Sequence, residues 1–267
     1  MEWRGTDGGV RWLEASLPGA RVAFSARTGG VSESPREVPA SKVGLAPAGG
    51  GEFASLNLGI LTEDDPESVV ENRRRFAAAL GLSPERVAMG RQVHGAELAT
   101  HAGPQPGIPF VNPGGEIPEV DGHVTSAPGL AALVFVADCL PVALAGPRGV
   151  AMLHCGWRGL AAGIVARGAA AVGATGAAIG PGIGPCCYEV GGEVLDAFAG
   201  LGEGIASGQM LDLVEVARRL LREAGVERIE TADLCTSCEA KLFFSHRRDA
   251  GRTGRQAGLV WLDPVEA

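Results

Sequence analysis

No apolar run in this 267-residue chain approaches the roughly 20 residues a helix needs to cross a bilayer. The N-terminal segment MEWRGTDGGVRWLEA lacks the apolar core of a signal peptide. A cytoplasmic protein with no membrane partner is therefore expected. Positive charge is also in deficit. The formal net charge is −8, which argues against a general nucleic-acid binder but leaves room for a local basic pocket. Aromatics supply only 5% of the residues, so Ala, Val and Leu must fill the core. The six cysteines (139, 155, 186, 187, 235 and 238) lie in the second half and lack the regular spacing of a secreted disulfide framework. In a reducing cytosol they are thiols or ligands.

What is present centres on the stretch from Leu130 to Gly159, LAALVFVADCLPVALAGPRGVAMLHCGWRG. Gly146-Pro147-Arg148-Gly149 is a turn signal between two apolar runs. A four-residue loop there sets Ala145 against Val150 and Pro141 opposite His154. Cys139, two residues beyond Pro141, then shares a face with His154, as a diagonal neighbour roughly 7–8 Å away at the backbone. Two metal ligands, or a nucleophile and its base, could sit that way. Pro141 cannot donate to a ladder, so an interruption or bulge is expected there. His94, in Arg91-Gln-Val-His-Gly95, is a third candidate ligand. A His/Cys/His set suits zinc and leaves a fourth position open, the mark of a catalytic site. The plain alternative is a buried Cys139 acting as a small hydrophobe and a His154 satisfied by backbone. Asp138 should face away, as a structural partner.

The clearest helix runs from a cap at Asp65, through Pro66, to a stop at Gly81. Val69, Arg73, Phe76 and Leu80 share one face. Arg73 is out of place there. It calls for a core Asp, an escape to solvent, or an anion pocket for phosphate or carboxylate. Gln92–Gly95 is expected on a strand. Further helices are expected over Trp157–Val172, Glu189–Phe198 and Gln209–Ala224. Strands are expected at Val22–Ser25, Thr175–Ile179, Ile229–Leu234, Leu242–Ser245 and Ala257–Leu262. Residues 32–53 read as a flexible insertion rich in Pro, Gly, Ala and Ser. Strands and helices mix without strict βαβ alternation, which points to an α+β fold, and the length allows one large domain or two small ones. Cys235-Thr-Ser-Cys238 is a lone CxxC. A zinc knuckle would need a second pair, and Cys186-Cys187 is poorly spaced to supply it. Its plain reading is two small apolar residues at a strand end.

The motifs together resemble one family. They are Arg27-Thr-Gly-Gly-Val-Ser32, Ser55-Leu-Asn-Leu58, Asn72-Arg73, Gln92-Val-His-Gly95 and Asp121-Gly122, followed by Asp138-Cys-Leu-Pro141 and His154-Cys-Gly-Trp-Arg-Gly159. Ile179-Gly-Pro181, Tyr188-Glu-Val190, Cys235-Thr236, Phe243-Phe-Ser-His-Arg-Arg-Asp249 and Gly254-Arg255 complete the set. In this order they are similar to the laccase-domain, or YfiH-like, family, also described as polyphenol oxidases or purine nucleoside phosphorylases. The resemblance runs from about residue 22 to the C-terminus. It implies a four-layer α/β/β/α sandwich with mixed sheets in a single domain spanning 1–267, and His94, Cys139 and His154 as ligands of one zinc. It implies Asn57, Arg73 and Gln92 as residues lining a nucleoside and phosphate site. The implied activity is zinc-dependent phosphorolysis of adenosine, guanosine, inosine and methylthioadenosine, with deamination of adenosine, in a monomer or small homo-oligomer. Where the family usually has Ala, this chain has Cys155, which by alternation should point away from the site.

Two other readings compete. One is a copper-dependent phenol oxidase. The chain has only five histidines (94, 101, 123, 154 and 246), few for a multicopper cluster. The other is a metal-free cysteine hydrolase with Cys139 as nucleophile and His154 as base.

Overall fold

In a computed structural model of the protein, the structure describes residues 1–33, 51–112 and 116–263. Most of the expected insertion at 32–53 lies outside the described residues.

Two six-stranded mixed sheets carry the fold. The first contains β1 (Glu2–Gly5), β2 (Arg11–Leu17), β3 (Ala20–Ser25), β4 (Val87–Ala88), β7 (Ala131–Val136) and β14 (Gln256–Leu262), ordered β1-β2-β3-β14-β7-β4. The second contains β5 (Leu98–His101), β6 (Gly122–Thr125), β8 (Leu140–Gly146), β9 (Gly149–Cys155), β10 (Gly176–Ile179) and β13 (Arg228–Thr231), ordered β13-β10-β8-β9-β6-β5. A two-stranded ribbon pairs β11 (Ala206–Ser207) with β12 (Met210–Leu211). Pairing is antiparallel except for β4 with β7, β5 with β6 and β10 with β13.

Strand alternation builds the layers. Val134 and Val136 of β7 and Ala143, Ala145, Val150 and Met152 of β8 and β9 meet between the sheets, with Val22 and Phe24 of β3. The opposite residues of the first sheet, Leu133 and Leu259 among them, pack on Phe76, Ala77 and Leu80 at helix α1 (Pro66–Ala79). Those of the second, Val142, Leu144, Ala151 and Leu153, pack on α3 (Ile164–Val172), α4 (Gly192–Ala197) and α5 (Leu213–Glu223). The order is α/β/β/α, as expected. Each fully buried Leu or Phe contributes about 1.5–3 kcal/mol, and Phe24, Phe53, Phe76, Phe110, Phe243 and Phe244 join the Ala, Val and Leu that were expected to fill the core.

The β8–β9 hairpin has the predicted register, with Ala145 opposite Val150 and Pro141 opposite His154. The expected bulge is absent: pairing is continuous from Leu140–Cys155 to Gly146–Gly149. Pro141 directs its main chain away from β9, its carbonyl accepting from Gly180 N (2.9 Å), just past the end of β10. The missing N–H therefore costs no bond to β9.

Other expectations are corrected. The helix over 157–172 is two, α2 (Trp157–Ala161) and α3, broken at Gly163, whose φ of 84° is left-handed. The helix over 209–224 starts late, because Asp212 caps it by accepting from Glu215 N, and Met210–Leu211 is strand instead. Gln92–Gly95 is loop, not strand. So is Leu242–Ser245, where the Gln256 side chain bonds both main-chain groups of Phe244 and takes the place of a strand partner. Strands β1 and β2 were not anticipated, although Arg11–Leu17 buries most of its apolar side chains.

Candidate metal centre and its cavity

Three separate segments supply the site. Cys139 sits in the turn between β7 and β8, His154 near the end of β9, and His94 in the loop before β5. Their ligand atoms all lie within 4.8 Å of one another. The two imidazoles meet edge to face with centroids 4.8 Å apart. Sequence reasoning faced Cys139 with His154 and named His94 as the third candidate ligand, and the structure brings the three together.

Asp121 assembles the set. It ends the loop before β6, is fully buried, and accepts four hydrogen bonds through its carboxylate. Oδ1 accepts from His94 N (2.9 Å) and His154 Nδ1 (2.7 Å), and Oδ2 from Val93 N (3.1 Å) and Gly95 N (2.7 Å). Its own carbonyl accepts from His154 N (2.7 Å). His94 has φ 62°, a left-handed conformation that costs a non-glycine residue about 1–3 kcal/mol. The three N–H bonds to one carboxylate offset that cost and fix the loop. The bond to His154 Nδ1 orients the ring and turns Nε2 toward Cys139, the usual arrangement behind a metal-bound imidazole. Burial alone would raise the Asp121 carboxyl, but the bonds from His154 and Gly95 outweigh it and hold it below the ordinary range.

Asp138, with φ 90°, turns the chain into Cys139. Its carboxylate accepts from Thr236 Oγ1 (2.6 Å) and Arg247 N (2.7 Å), making it the structural partner expected, although Asp138 lines the cavity and does not face away from it. Gly156 closes the other side. A Cβ there would lie 2.9 Å from Cys139 Sγ, so any side chain would push the sulfur out of place. Cys155 is fully buried on the helix side, among Leu153 and Leu160.

Electrostatics ready the donors. Burial disfavours the Cys139 thiolate, but the His154 and His94 imidazoles outweigh it and bring the thiol down to about 6. Burial would lower His154, but the Cys139 thiolate and Asp121 raise it to about 9. A thiolate and two imidazoles fit a tetrahedral ion bound at about 2.0–2.3 Å from each donor. His94 is exposed, and all three donors line one cavity that leaves room for a fourth ligand beside them.

The set opens on a cavity of about 990 Å³, ample for a small-molecule ligand. Arg73, Arg91, Arg158, Arg247 and Arg255 line it, against one carboxylate, that of Asp138. Arg73 is 1% exposed. Its Nε donates to Leu58 O (2.8 Å) and Nη1 to Phe110 O (3.0 Å), and the guanidinium lies over the Phe135 and Phe110 rings at 4.8 and 5.4 Å. No carboxylate among the described residues pairs with it, so neither the core Asp nor the escape to solvent holds. Burial brings it down to about 10, still a cation at neutral pH.

Gln92 also lines the cavity, with its amide committed to Phe135: Nε2 donates to the carbonyl and Oε1 accepts from the N–H, both at 2.7 Å. Asn57 is not a lining residue. Its Nδ2 donates to Thr62 and Asp64, and its Oδ1 accepts from Gly59 N and Arg255 N, so it braces lining residues from behind. Sequence reasoning missed the roles of Asp121, Tyr188, Arg247 and Arg255. All four sit inside the quoted motifs, where an acid before a buried strand and the Arg positions were the available signals. It also separated the four distal cysteines, which the structure brings together: the ligand atoms of Cys186, Cys187, Cys235 and Cys238 lie within 4.8 Å of one another.

Two packed mixed sheets, flanked by helices and carrying a His/Cys/His donor set at an arginine-lined cavity, define an α+β protein with a candidate metal centre for small-molecule chemistry. The chain belongs to the family described as multi-copper polyphenol oxidoreductase laccase, whose model matches residues 21–263. It is 36% identical to purine nucleoside phosphorylase YlmD of Geobacillus stearothermophilus, over 93% of each chain. It is 35% identical to purine nucleoside phosphorylase YfiH of Escherichia coli, over 91% of this chain and 94% of that one. Among solved structures, YlmD from G. stearothermophilus superposes with a TM-score of 0.80 at 34% identity, covering 98% of this chain and 99% of that one. No helix among the described residues is long and apolar enough to cross a membrane.

Proposed function

We propose that the chain is a zinc-dependent purine nucleoside phosphorylase that also deaminates adenosine. The observation that carries this reading is the His94/Cys139/His154 set opening on a cavity with five arginines and one carboxylate, in a chain of net charge −8. Cations concentrated in one cavity of an acidic protein suit an anionic co-substrate such as phosphate. The named relatives support a purine nucleoside as the other substrate.

His94, Cys139 and His154 would hold the ion, which when bound supplies Lewis acidity at that corner of the cavity. Asp121 keeps the ligands oriented. Arg73 binds a phosphate oxygen, and Asn57 and Gln92 hold the walls around the phosphate and ribose, Asn57 through Gly59 and Arg255. Phe135, Met89 and Tyr188 offer apolar surface to the base. In phosphorolysis a phosphate oxygen bonds to ribose C1′ as the bond from C1′ to the purine nitrogen breaks, and the base leaves with a proton. Adenosine, guanosine, inosine and methylthioadenosine share that bond. In deamination water adds at purine C6 and ammonia leaves.

A metal-free cysteine hydrolase has one observation in its favour. Cys139, His154 and Asp121 form a nucleophile, base and orienting acid in sequence of contact. A multicopper cluster is disfavoured, because among the described residues no three histidines converge on one site; a single copper on the two-His, one-Cys set is told from zinc by metal analysis. The discriminating test is chelation of purified protein before assay with nucleoside and phosphate. Activity lost on chelation and restored by zinc supports the zinc enzyme. Activity that survives metal removal overturns it in favour of the thiol.

A further inference from the structure

We propose that Cys186, Cys187, Cys235 and Cys238 form a second metal site, a four-thiolate zinc clip that is separate from the cavity centre and structural. Sulfur atoms bound at about 2.3 Å around tetrahedral zinc stand roughly 3.8 Å apart. Here Cys238 Sγ lies 3.4 Å from Cys186 Sγ and 3.5 Å from Cys187 Sγ, and all four sulfurs fall within 4.8 Å of one another. Packing gives no other reason for the cluster. Cys186 and Cys238 are exposed, so they are not small core hydrophobes. One sulfur close to two partners is the geometry of a shared ion rather than of a paired disulfide, and all four are free thiols in the structure.

The surroundings are built for it. A parallel bridge joins Gly182 to Cys235, and Thr236 N donates to Gly182 O (2.9 Å), so the loop after β10 and the loop after β13 run side by side. Gly184 N donates to Cys235 Sγ (3.2 Å), a bond that favours the thiolate. A Cβ at Gly184 would sit 3.2–3.5 Å from Cys235 Cβ, Cys186 Sγ and Cys235 Sγ, filling the cradle. Two cations flank the cluster against the negative charge four thiolates would bring: Arg248 Nη1 donates to Thr236 O (2.9 Å) and Arg247 Nη1 to Glu189 O (2.9 Å). The clip would bind the loop bearing Ile183 and Tyr188, both cavity-lining residues, to the C-terminal loops. Four cysteines with no open position fit a structural rather than catalytic ion.

The clip does not depend on the proposed reaction, and its test separates the two. Zinc content is measured on protein purified without added metal, for the wild type, Cys235→Ser/Cys238→Ser and Cys139→Ala. The clip predicts that the double variant loses one equivalent relative to wild type, while Cys139→Ala keeps the ion at the clip. Equal zinc in wild type and double variant overturns it, as does iron in place of zinc. The wild type gives a second test that needs no variant. Exposed Cys186 and Cys238 should resist iodoacetamide until a chelator is added. Immediate alkylation, or protection relieved by a reductant and not by a chelator, overturns the clip.

Discussion

Asp121→Asn probes the centre through a residue that need not touch the ion. The carboxylate accepts two hydrogen bonds at each oxygen. An amide keeps one oxygen and sets an NH2 where the other stood. With its oxygen toward His154, the NH2 faces the amides of Val93 and Gly95. Turned round, it faces His94 N and His154 Nδ1, and forces His154 into the tautomer whose Nε2 carries the proton. Either way two bonds to a charged acceptor are lost, at about 1.5–3 kcal/mol each before relaxation. Outer partners of metal-bound histidines typically govern 10–100-fold in affinity, about 1.4–2.8 kcal/mol. One effect opposes this. Asp121 helps raise His154 to about 9, so its loss eases deprotonation and relieves proton competition at neutral pH. Zinc affinity is therefore measured by competition with a chromophoric chelator at pH 7 and again above pH 9, where His154 is deprotonated in both proteins. The deficit should be larger at the higher pH, about 10–100-fold. A folded variant with wild-type affinity at both values would refute the role given to Asp121.

Arg73→Met keeps the volume and apolar contacts but removes the charge. It should raise the KM for phosphate by about 10–100-fold, the equivalent of one charge-assisted bond, at unchanged zinc content, and an unchanged phosphate dependence removes Arg73 from the site. Metal uptake should release protons in a pH-dependent way. With Cys139 near 6 and His154 near 9, the free site between those values holds the His154 proton but not the thiol's, so binding displaces it and affinity rises about tenfold per pH unit. Below about 6 the thiol proton must leave too and the slope steepens, which calorimetry in buffers of different ionisation heat reads directly. The Asp121 carboxyl is depressed in the folded chain, so its contribution to stability is present above the ordinary carboxylate range and is lost as pH falls through its lowered value. Acid unfolding of Asp121→Asn should accordingly show a flatter pH dependence. Gly156→Ala places a methyl 2.9 Å from Cys139 Sγ and should deplete the centre of zinc while leaving the distal cysteines loaded.

The β8–β9 hairpin was legible because its turn is punctuated by Gly146 and Gly149 and its register follows from counting. The α1 helix was legible because Asp65, Pro66 and Gly81 mark both ends. Arg73 announced itself by sitting on an apolar face. The loop of His94 was not legible. Its left-handed residue is held by a carboxylate 27 positions away, and nothing local signals that. Asp121-Gly122 reads as an ordinary turn, and only the fold shows one carboxylate gathering four donors. The distal cysteines look mismatched in sequence because their ligand geometry comes from a parallel bridge between Gly182 and Cys235, a contact that spacing rules do not reach. Asn57 matches the family motif, yet its amide is spent on Gly59, Thr62, Asp64 and Arg255, which makes it a brace behind the cavity rather than part of its surface.

The most direct test of the central claim is product analysis on protein purified without added metal, incubated with adenosine in the presence and absence of phosphate, with His94→Ala alongside. The account predicts adenine and ribose 1-phosphate only when phosphate is supplied, some inosine in both cases, and loss of every product together with the cavity zinc in His94→Ala. Turnover that persists in a His94→Ala protein freed of that zinc, or zinc-loaded wild type that yields neither adenine nor inosine, would contradict it.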